Sequence, residues 1–223
     1  MDDWNYHSYL FFNVSNAYYQ QPEAAKTKQK LALQKLLEKQ KQLHVTTYTP
    51  LGLKPNTTFM LWVQASDPSD IQTLTRNLLT TTFGQWLTLT YSYFGVLRPS
   101  TYSGRTGKPE QEIRKHEDRR PYLILYPFTK TTDWYLLDFE NRKSIMGQHI
   151  KTGIAHPEIR QCLLYSYGVD DQEFLVSYEV QKLEEFQELI MEMRSTIGRK
   201  YTLNDTPIHT CIYKSVEELT EWF

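Results

Sequence analysis

The feature of this sequence that most constrains its fold is an order of strand and helix patterns that occurs twice. Each half of the chain shows strand-like apolar segments and segments with helical spacing in the order strand, helix, strand, strand, helix, strand. The first set spans residues 7–97 and the second spans residues 121–214. Two successive βαββαβ units predict an α+β fold of two tandem ferredoxin-like repeats, whose antiparallel sheets either pack together or curl into one barrel.

The segment between the two units differs from both in composition. Residues 99–120 are rich in glycine, proline and charge, and their number is large for a plain connection, which favours a functional loop. We therefore predict an N-terminal repeat over 1–98, a crossover loop over 99–120 and a C-terminal repeat over 121–223. In the first repeat, helical spacing predicts a helix from Glu23 to about Leu43.

Charge and composition exclude several classes of protein. The 25 basic and 26 acidic side chains give a net charge of -1, which argues against a nucleic-acid partner. No stretch approaches the roughly 18 uninterrupted apolar residues of a membrane span, and 2 cysteines cannot build a disulfide framework. The acidic N-terminus lacks the features of a secretory signal, so we expect a cytoplasmic protein with no membrane partner. An aromatic content of 14% indicates large buried faces, an oligomer interface or a flat ligand.

Residues 138–153 have the spacing of a helix that places His149 on its inward face. The positions that recur at steps of three or four are Phe139, Arg142, Ile145, Met146, His149 and Gly153. An inward imidazole with a glycine one turn further on can face a metal or a porphyrin iron. A hydrogen-bonded core histidine explains the same spacing, so the pattern alone leaves both interpretations open.

Two strand segments carry further polar candidates. Alternation along the strand predicted over 121–129 puts Tyr126 and Lys130 on one side, where a phenol that can lose a proton or an electron lies near an ammonium that can pair with a carboxylate. In the strand predicted over 159–167, Gln161 alternates with apolar residues, and Arg160 should point away from it. An ordinary exposed strand face and a hydrogen-bonded buried glutamine explain the same patterns.

Taken together, these candidates occur in an order that resembles the chlorite dismutase family. The motifs that carry the resemblance are Tyr126-Pro-Phe-Thr-Lys130, Asp133-Trp134-Tyr135, Met146-x-x-His149-x-x-x-Gly153, Gly168-Val-Asp-Asp-Gln-Glu-Phe174, the Met193-Arg194 helix end and Asp205-Thr206-Pro207. They cover most of residues 90–215. The resemblance implies a dimeric α+β barrel that binds heme or coproheme in its C-terminal repeat, in a homo-oligomer that is commonly a ring pentamer.

The same resemblance implies roles for single residues. His149 would be the proximal iron ligand, Tyr126 a radical relay and Lys130 the lysine that handles the second propionate. Porphyrin carboxylates require fixed cations and hydroxyls. The further residues expected to contact the porphyrin are Trp134, Arg114, Arg199 and Thr206.

In the chlorite dismutase family, the residue above the iron distinguishes two activities. Chlorite dismutases, which convert chlorite to chloride and dioxygen, carry an arginine there, whereas coproheme decarboxylases carry an uncharged residue, often glutamine. Counting back from Gly168 puts Gln161 at this position, whereas counting from His149 brings Cys162 near it. With Gln161 we expect hydrogen peroxide to drive decarboxylation of two propionates of iron coproporphyrin, which gives heme b. Chlorite dismutase activity and a non-catalytic heme-binding barrel are the alternatives.

Overall fold

A computed structural model describes residues 4–99, 102 and 112–223. Its strands form from segments in which apolar residues either alternate with polar ones or follow one another. The strands of this part of the chain are β1 (Tyr6–Val14), β2 (Leu43–Thr49), β3 (Phe59–Ala65), β4 (Leu87–Val96), β5 (Tyr122–Lys130), β6 (Arg160–Tyr165), β7 (Phe174–Val180), β8 (Thr202–Asn204) and β9 (His209–Tyr213). The α-helices are α1 (Asn16–Tyr19), α2 (Glu23–Glu38), α3 (Pro68–Leu79), α4 (Thr132–Leu136), α5 (Phe139–Ala155), α6 (Leu183–Arg194) and α7 (Val216–Glu221).

Contacts divide the chain into two compact units. Unit 1 contains the residues up to Val96 together with Cys211–Phe223, and unit 2 contains Leu97–Thr210. The segment Cys211–Phe223 therefore groups with unit 1, although the sequence predicts it as the end of the second repeat. Its strand explains this grouping, because Tyr213 and Ile212 of β9 pair with β2.

Unit 1 contains an antiparallel sheet in the order β4, β1, β3, β2 and β9. Every residue of β3 is buried, as expected of a central strand that is covered on both faces. The helix α3 begins where Pro68 follows Asp67, whose side chain accepts a hydrogen bond from the backbone N of Ser69 at 2.8 Å. The core of this unit draws on α2, α3 and α7 through the buried residues Leu33, Leu37, Ile71, Leu74, Leu78 and Leu219.

Unit 2 contains an antiparallel sheet in the order β6, β7, β5 and β8. Gly168 makes the turn between β6 and β7 with φ 70, a conformation that favours glycine. The helix α5 begins at Phe139. Its N-cap is Asp138, whose side chain accepts a hydrogen bond from the backbone N of Asn141 at 2.8 Å. The helix α6 and a short 3-10 segment over Ile197–Tyr201 pack beside α5.

The predicted α+β class is confirmed, and both sheets are antiparallel. One helix boundary was predicted wrongly: α2 ends at Glu38, and Leu43 is the first residue of β2, where it pairs with Ala65. Leu43 is buried as the first residue of β2. An apolar residue would also be expected on the buried face at the end of a helix, so the residue type could not distinguish the two structures. The short elements α1, α4, α7 and β8 lie outside the predicted strands and helices.

Candidate functional site

One face of the unit 2 sheet carries three of the predicted site residues. Tyr178 of β7 is paired with both Ile124 and Gln161, and residues directly opposite in an antiparallel pair point to the same side. Alternation along β5 then puts Tyr126 on this side as well. Phe128 and Lys130 continue the same alternation, and the Nζ of Lys130 lies 4.9 Å from the ring centroid of Phe128, so Lys130 is on this side too. We call the side that carries Tyr126, Lys130 and Gln161 the site face.

The helix α6 covers only one end of the site face. At that end the rings of Tyr178 and Phe186 lie 5.0 Å apart between centroids, and Leu189 is buried against the same cluster. Toward the other end, Leu163 remains 40% exposed. The site face therefore leaves apolar surface uncovered beside its polar candidates, which suits a large, flat, mostly apolar ligand.

Tyr126 lies at the buried end of the site face. Its ring stacks on Tyr178 with 6.1 Å between centroids and an angle of 24° between planes, and the two phenols share a hydrogen bond. Burial, followed by the neighbouring Tyr178, raises the pKa of Tyr126 well above 10.0. Tyr126 is therefore a protonated phenol at any physiological pH. Its oxidation requires the loss of a proton together with an electron.

Lys130 holds its ammonium against aromatic rings. The Nζ lies 4.6 Å from the ring centroid of Trp134, and burial lowers the pKa of Lys130 to about 8, with the charge of Glu173 acting in the opposite direction. Glu173 instead accepts a hydrogen bond from the backbone N of Lys130 at 2.7 Å. Within the described residues the ammonium has no ion pair, so it can bind an incoming carboxylate.

Trp134 itself is buried in α4. Its ring lies 5.6 Å from that of Tyr201 and 6.1 Å from that of Tyr102 between centroids. This packing fixes the indole beneath the ammonium of Lys130. The predicted contact of Trp134 with a porphyrin stays a prediction.

His149 lies on the covered stripe of α5. No residue of this helix is fully buried. Of the predicted stripe, Phe139 is 45% exposed, and the positions that are partly covered are Arg142, Ile145, Met146, His149 and Gly153. Burial, followed by the nearby positive charge of Lys130, lowers the pKa of His149 to about 4. The imidazole is therefore neutral near pH 7, which is the form that binds a metal. No described residue forms a hydrogen bond with its ring.

Arg160 and Gln161 point to opposite sides of β6, as strand alternation predicts. Arg160 is buried, and its guanidinium donates to the Asp118 side chain and to the Asp118 backbone O, both at 2.9 Å. It also lies 3.7 Å from the fully buried Glu179. The ion pair with Arg160 lowers the pKa of Asp118. Arg160 is therefore held on the face of the sheet opposite the site face, and the uncharged Gln161 is exposed on the site face.

Arg114 lies near Cys162 in unit 2. It forms an ion pair with Glu112, and its charge acts on the buried thiol of Cys162. Burial raises the pKa of Cys162 to about 12, with Arg114 acting in the opposite direction. Cys162 alternates with Gln161 along β6, so its thiol points away from the site face. The assignments of Arg114 to a porphyrin and of Cys162 to the distal position thus gain no support from this arrangement.

Arg199 and Thr206 already bind protein groups. Arg199 donates to Asp205 at 2.6 Å, and Arg194 pairs with the same carboxylate oxygen at 2.9 Å. The hydroxyl of Thr206 donates to the side-chain O of Asn204 at 2.9 Å. The charges of Asp205 and Arg194 both act on the pKa of Tyr126, so this cluster lies near the buried phenol. Porphyrin contacts of Arg199 and Thr206 stay predictions.

Two further polar atoms near these residues were missed by the sequence analysis as site groups. Thr131 Oγ1 and Arg142 Nε are buried from solvent and have no hydrogen-bond partner among the described residues. Thr131 follows Lys130, and Arg142 lies seven residues before His149 on the same helix stripe. A neutral imidazole, an apolar surface and unpaired cations fit an iron porphyrin, which needs one axial ligand, a flat apolar contact and partners for its carboxylates. The helical spacing already contained Arg142, but it gave no sign that its Nε lacks a partner.

Comparison with known proteins gives consistent results. The sequence profile of the family described as chlorite dismutase matches residues 23–214. A coproheme decarboxylase from Mycolicibacterium smegmatis is 25% identical over 173 residues, which cover 77% of this chain and 74% of the relative. A mutant chlorite dismutase from Candidatus Nitrospira defluvii has a similar structure, with a TM-score of 0.91 at 23% identity over 99% of this chain and 96% of its own. The imidazole complex of chlorite dismutase from that organism has a TM-score of 0.89 at 22% identity over 99% and 95% of the two chains.

The helices of the described residues were also compared with the length of a membrane span. None of them is both long and apolar enough to cross a bilayer.

Proposed function

We propose that this chain, which belongs to the chlorite dismutase family, is a heme-dependent oxidoreductase that decarboxylates iron coproporphyrin. Members of this family and coproheme decarboxylases bind heme or coproheme, which supports the predicted iron-porphyrin cofactor. The finer assignment is the peroxide-dependent conversion of two propionates to vinyl groups, which gives heme b.

The observation that carries this assignment is the contrast between Gln161 and Arg160 on β6. The guanidinium of Arg160 is bound to Asp118 beside the buried Glu179, so it does not supply a positive charge to the site face. A cationic trap for a small anion such as chlorite is therefore not built from this strand. An uncharged Gln161 on the site face is compatible with peroxide as the oxidant.

The reaction balances for each propionate. The propionate, one hydrogen peroxide and one proton give a vinyl group, one carbon dioxide and two waters. The propionate loses two electrons and carbon dioxide, and the peroxide is reduced by those two electrons. The bound iron porphyrin would supply the site at which peroxide is reduced. Everything else is the work of side chains that hold the propionate and move its protons and electrons.

Tyr126 would carry the oxidising equivalent to the propionate. Its phenol loses an electron and a proton to give a neutral radical, and the radical regains both by taking a hydrogen atom from the propionate side chain. Burial suits this role, because it disfavours a free phenolate and keeps water away from the radical. Tyr178 fixes the orientation of the phenol through its hydrogen bond and its stacked ring.

Lys130 and His149 would hold the porphyrin from two sides. The neutral imidazole of His149 has no hydrogen bond with the described residues and would be able to bind the iron of such a group. The unpaired ammonium of Lys130 lies close enough to lower the pKa of that imidazole. Lys130 would therefore hold a propionate of the same porphyrin whose iron His149 would bind.

The test is reconstitution without oxygen with ferric coproheme, followed by stepwise addition of peroxide and mass analysis of the porphyrin. We expect two successive losses of one carboxyl group each. The variant Tyr126→Phe should retain coproheme and lose both steps. Tyr122→Phe is the matched control, because Tyr122 lies on the same strand and packs against the same cluster without being assigned to the chemistry.

Three outcomes would contradict the proposal in different ways. Tight coproheme binding without carboxyl loss, together with dioxygen release from chlorite, would favour chlorite dismutase activity. Porphyrin binding without either reaction would favour a non-catalytic heme-binding protein. Failure to bind any porphyrin would contradict the role of His149.

We further propose that the protein is a cytoplasmic homo-oligomer, with the ring pentamer implied by the family resemblance as the expected state. Large apolar side chains that remain exposed in the isolated chain, among them Leu136, Met191 and Trp222, are consistent with association. Sedimentation velocity on the purified protein measures the number of copies directly.

A further inference from the structure

Arg142 is a partly covered cation on the helix that carries His149, and no described residue pairs with its guanidinium. Its Nε is shielded from solvent and forms no hydrogen bond, and its side chain has no ion pair among the described residues. Arg142 is one of the partly covered positions of α5, although the neighbouring Lys143 is exposed. A buried N–H donor without a protein partner can be satisfied by an acceptor group of a ligand.

Neither Glu140, two residues before Arg142, nor Asp138, one helical turn before it, forms an ion pair with this side chain. Asp138 accepts hydrogen bonds from the backbone N of Asn141 at 2.8 Å and from its side-chain amide at 2.7 Å, as the cap of α5. Arg142 donates only its backbone N, to the backbone O of Asp138. The guanidinium therefore has free donors in a partly covered place, a combination that favours an anionic partner from outside the chain.

The position of Arg142 relative to His149 limits what that partner can be. The two residues are two helical turns apart on one stripe, about 10 Å along the axis. Ile145 and Met146 lie between them on the stripe, and the Cγ2 of Ile145 is 3.6 Å from the position that a Cβ of Gly198 would occupy, so Ile145 packs toward the segment Ile197–Tyr201. A ligand that contacts both must have an apolar body of roughly that reach with an anion at its rim.

We propose that Arg142 binds a carboxylate at the rim of the iron porphyrin, on the side that points toward the N-terminal end of α5. This inference rests on the proposed function, because it needs a porphyrin ligated near His149. It assigns to Arg142 a binding role separate from that of Lys130, whose ammonium lies beside His149 itself. A planar guanidinium suits this role, since its parallel N–H groups can hold a carboxylate in bidentate fashion.

The experiment measures porphyrin affinity rather than turnover. Ferric coproporphyrin, with four carboxylates, and its tetramethyl ester, dispersed in mild detergent, are titrated into the wild-type protein and the variants Arg142→Gln, Arg142→Lys and Lys143→Gln. Lys143→Gln is the matched control, because it removes the same charge from the same helix at an exposed position. We expect Arg142→Gln to weaken binding of the carboxylate form about 10–100-fold, with no change for the ester. Arg142→Lys should recover part of the loss.

Each result bears on a different claim. Equal losses in Arg142→Gln and Lys143→Gln would overturn the inference, because they would show a general effect of charge. Equal losses for the acid and the ester would also overturn it, because they would show a packing role. Absence of porphyrin binding by the wild-type protein would instead contradict the proposed function. If Arg142→Gln fails to fold, Arg142→Lys decides alone: a loss confined to the carboxylate form supports the inference, and an unchanged affinity overturns it.

Discussion

The long helices α2 and α5, which lie between the first and second strands of their units, occupy the same place in the strand and helix order but differ in what they bury. The helix α2 buries Gln29, Leu33 and Leu37, whereas no residue of α5 is buried. The sheets differ in the same way. Every residue of β3 in unit 1 is buried, whereas β6 in unit 2 alternates between buried and exposed residues.

This difference between the two units favours unit 2 as the one that binds a ligand. A helix contributes to folding mainly by packing an apolar face, and α5 leaves that contribution incomplete. The partly covered residues include two with chemical capability, the neutral imidazole of His149 and the guanidinium of Arg142, which pairs with no described residue. Unit 1 thus has the packing of a structural repeat, and unit 2 has a covered surface that a large apolar ligand with charged rim groups would complete.

The largest effect on stability should come from Leu33→Ala. Leu33 is 1% exposed in the core of unit 1, so its truncation should cost about 2–5 kcal/mol of the free energy of unfolding. The matched change in unit 2, Ile145→Ala, should cost only about 1 kcal/mol because Ile145 is partly accessible. Urea unfolding of the ligand-free protein measures both. Equal costs would show that α5 is packed as tightly as α2.

The next largest effect should distinguish the two faces of β6. Arg160→Gln should destabilise the protein by about 3 kcal/mol, because it removes one of the charges that compensate Glu179, which is fully buried. Arg119 still pairs with Glu179 at 3.3 Å, so the loss should stay at the lower end of the range for broken buried pairs.

Gln161→Ala is the control on the site face and should change stability by no more than about 0.5 kcal/mol. Thermal and urea unfolding of the two variants provide the measurement. A large cost for Gln161→Ala combined with a small cost for Arg160→Gln would reverse the assignment of the two faces, and with it the main argument for decarboxylation.

The faces of β6 were predictable from the sequence, but the partners of Arg160 were not. Alternation on a strand requires only local geometry, so the order of residues along β6 is enough to separate Arg160 from Gln161. Asp118 and Glu179 lie far from Arg160 in the sequence and meet it only after the chain has folded. The same limit applies to Arg142, since the spacing of α5 locates the residue on a stripe but cannot show that no described residue pairs with its guanidinium.

A third prediction concerns the effect of the Lys130 charge on the free energy of unfolding of the ligand-free protein. Because the pKa of Lys130 falls from 10.5 to about 8 on folding, the folded state releases this proton first and wild-type stability should rise with pH between those values. Lys130→Met removes the buried charge, so it should stabilise the ligand-free protein by about 1–2 kcal/mol at pH 7 and by almost nothing at pH 10.

Urea unfolding at the two pH values compares Lys130→Met with Lys143→Met, which removes an exposed charge from α5. Lys143→Met should show no dependence on pH in its difference from wild type. If Lys130→Met is destabilising at pH 7, then Lys130 already has a satisfactory partner in the protein and the site is not held in readiness for a carboxylate.

The smallest effect should come from the polar link between α5 and α6 in unit 2. His156, which follows α5, lies 3.2 Å from Glu158 through Nδ1 and 3.3 Å from Glu192 of α6 through Nε2. Burial acts to lower the pKa of His156, but the hydrogen bonds with Glu192 and Glu158 outweigh it and raise the pKa above 6.5.

A raised pKa in the folded state means that this link stabilises the protein fully below about pH 6.5 and is lost as the pH rises through the folded value. His156→Gln should therefore cost about 0.2–1 kcal/mol at pH 5.5 and nearly nothing at pH 9, because both carboxylates are partly exposed and screened. Unfolding at the two pH values, with and without added salt, tests this. A cost that is the same at both pH values would assign His156 to packing and would leave α5 without this polar link to α6, whereas α2 is linked to α7 in unit 1 by the hydrogen bond from Gln34 to Thr220 at 2.7 Å.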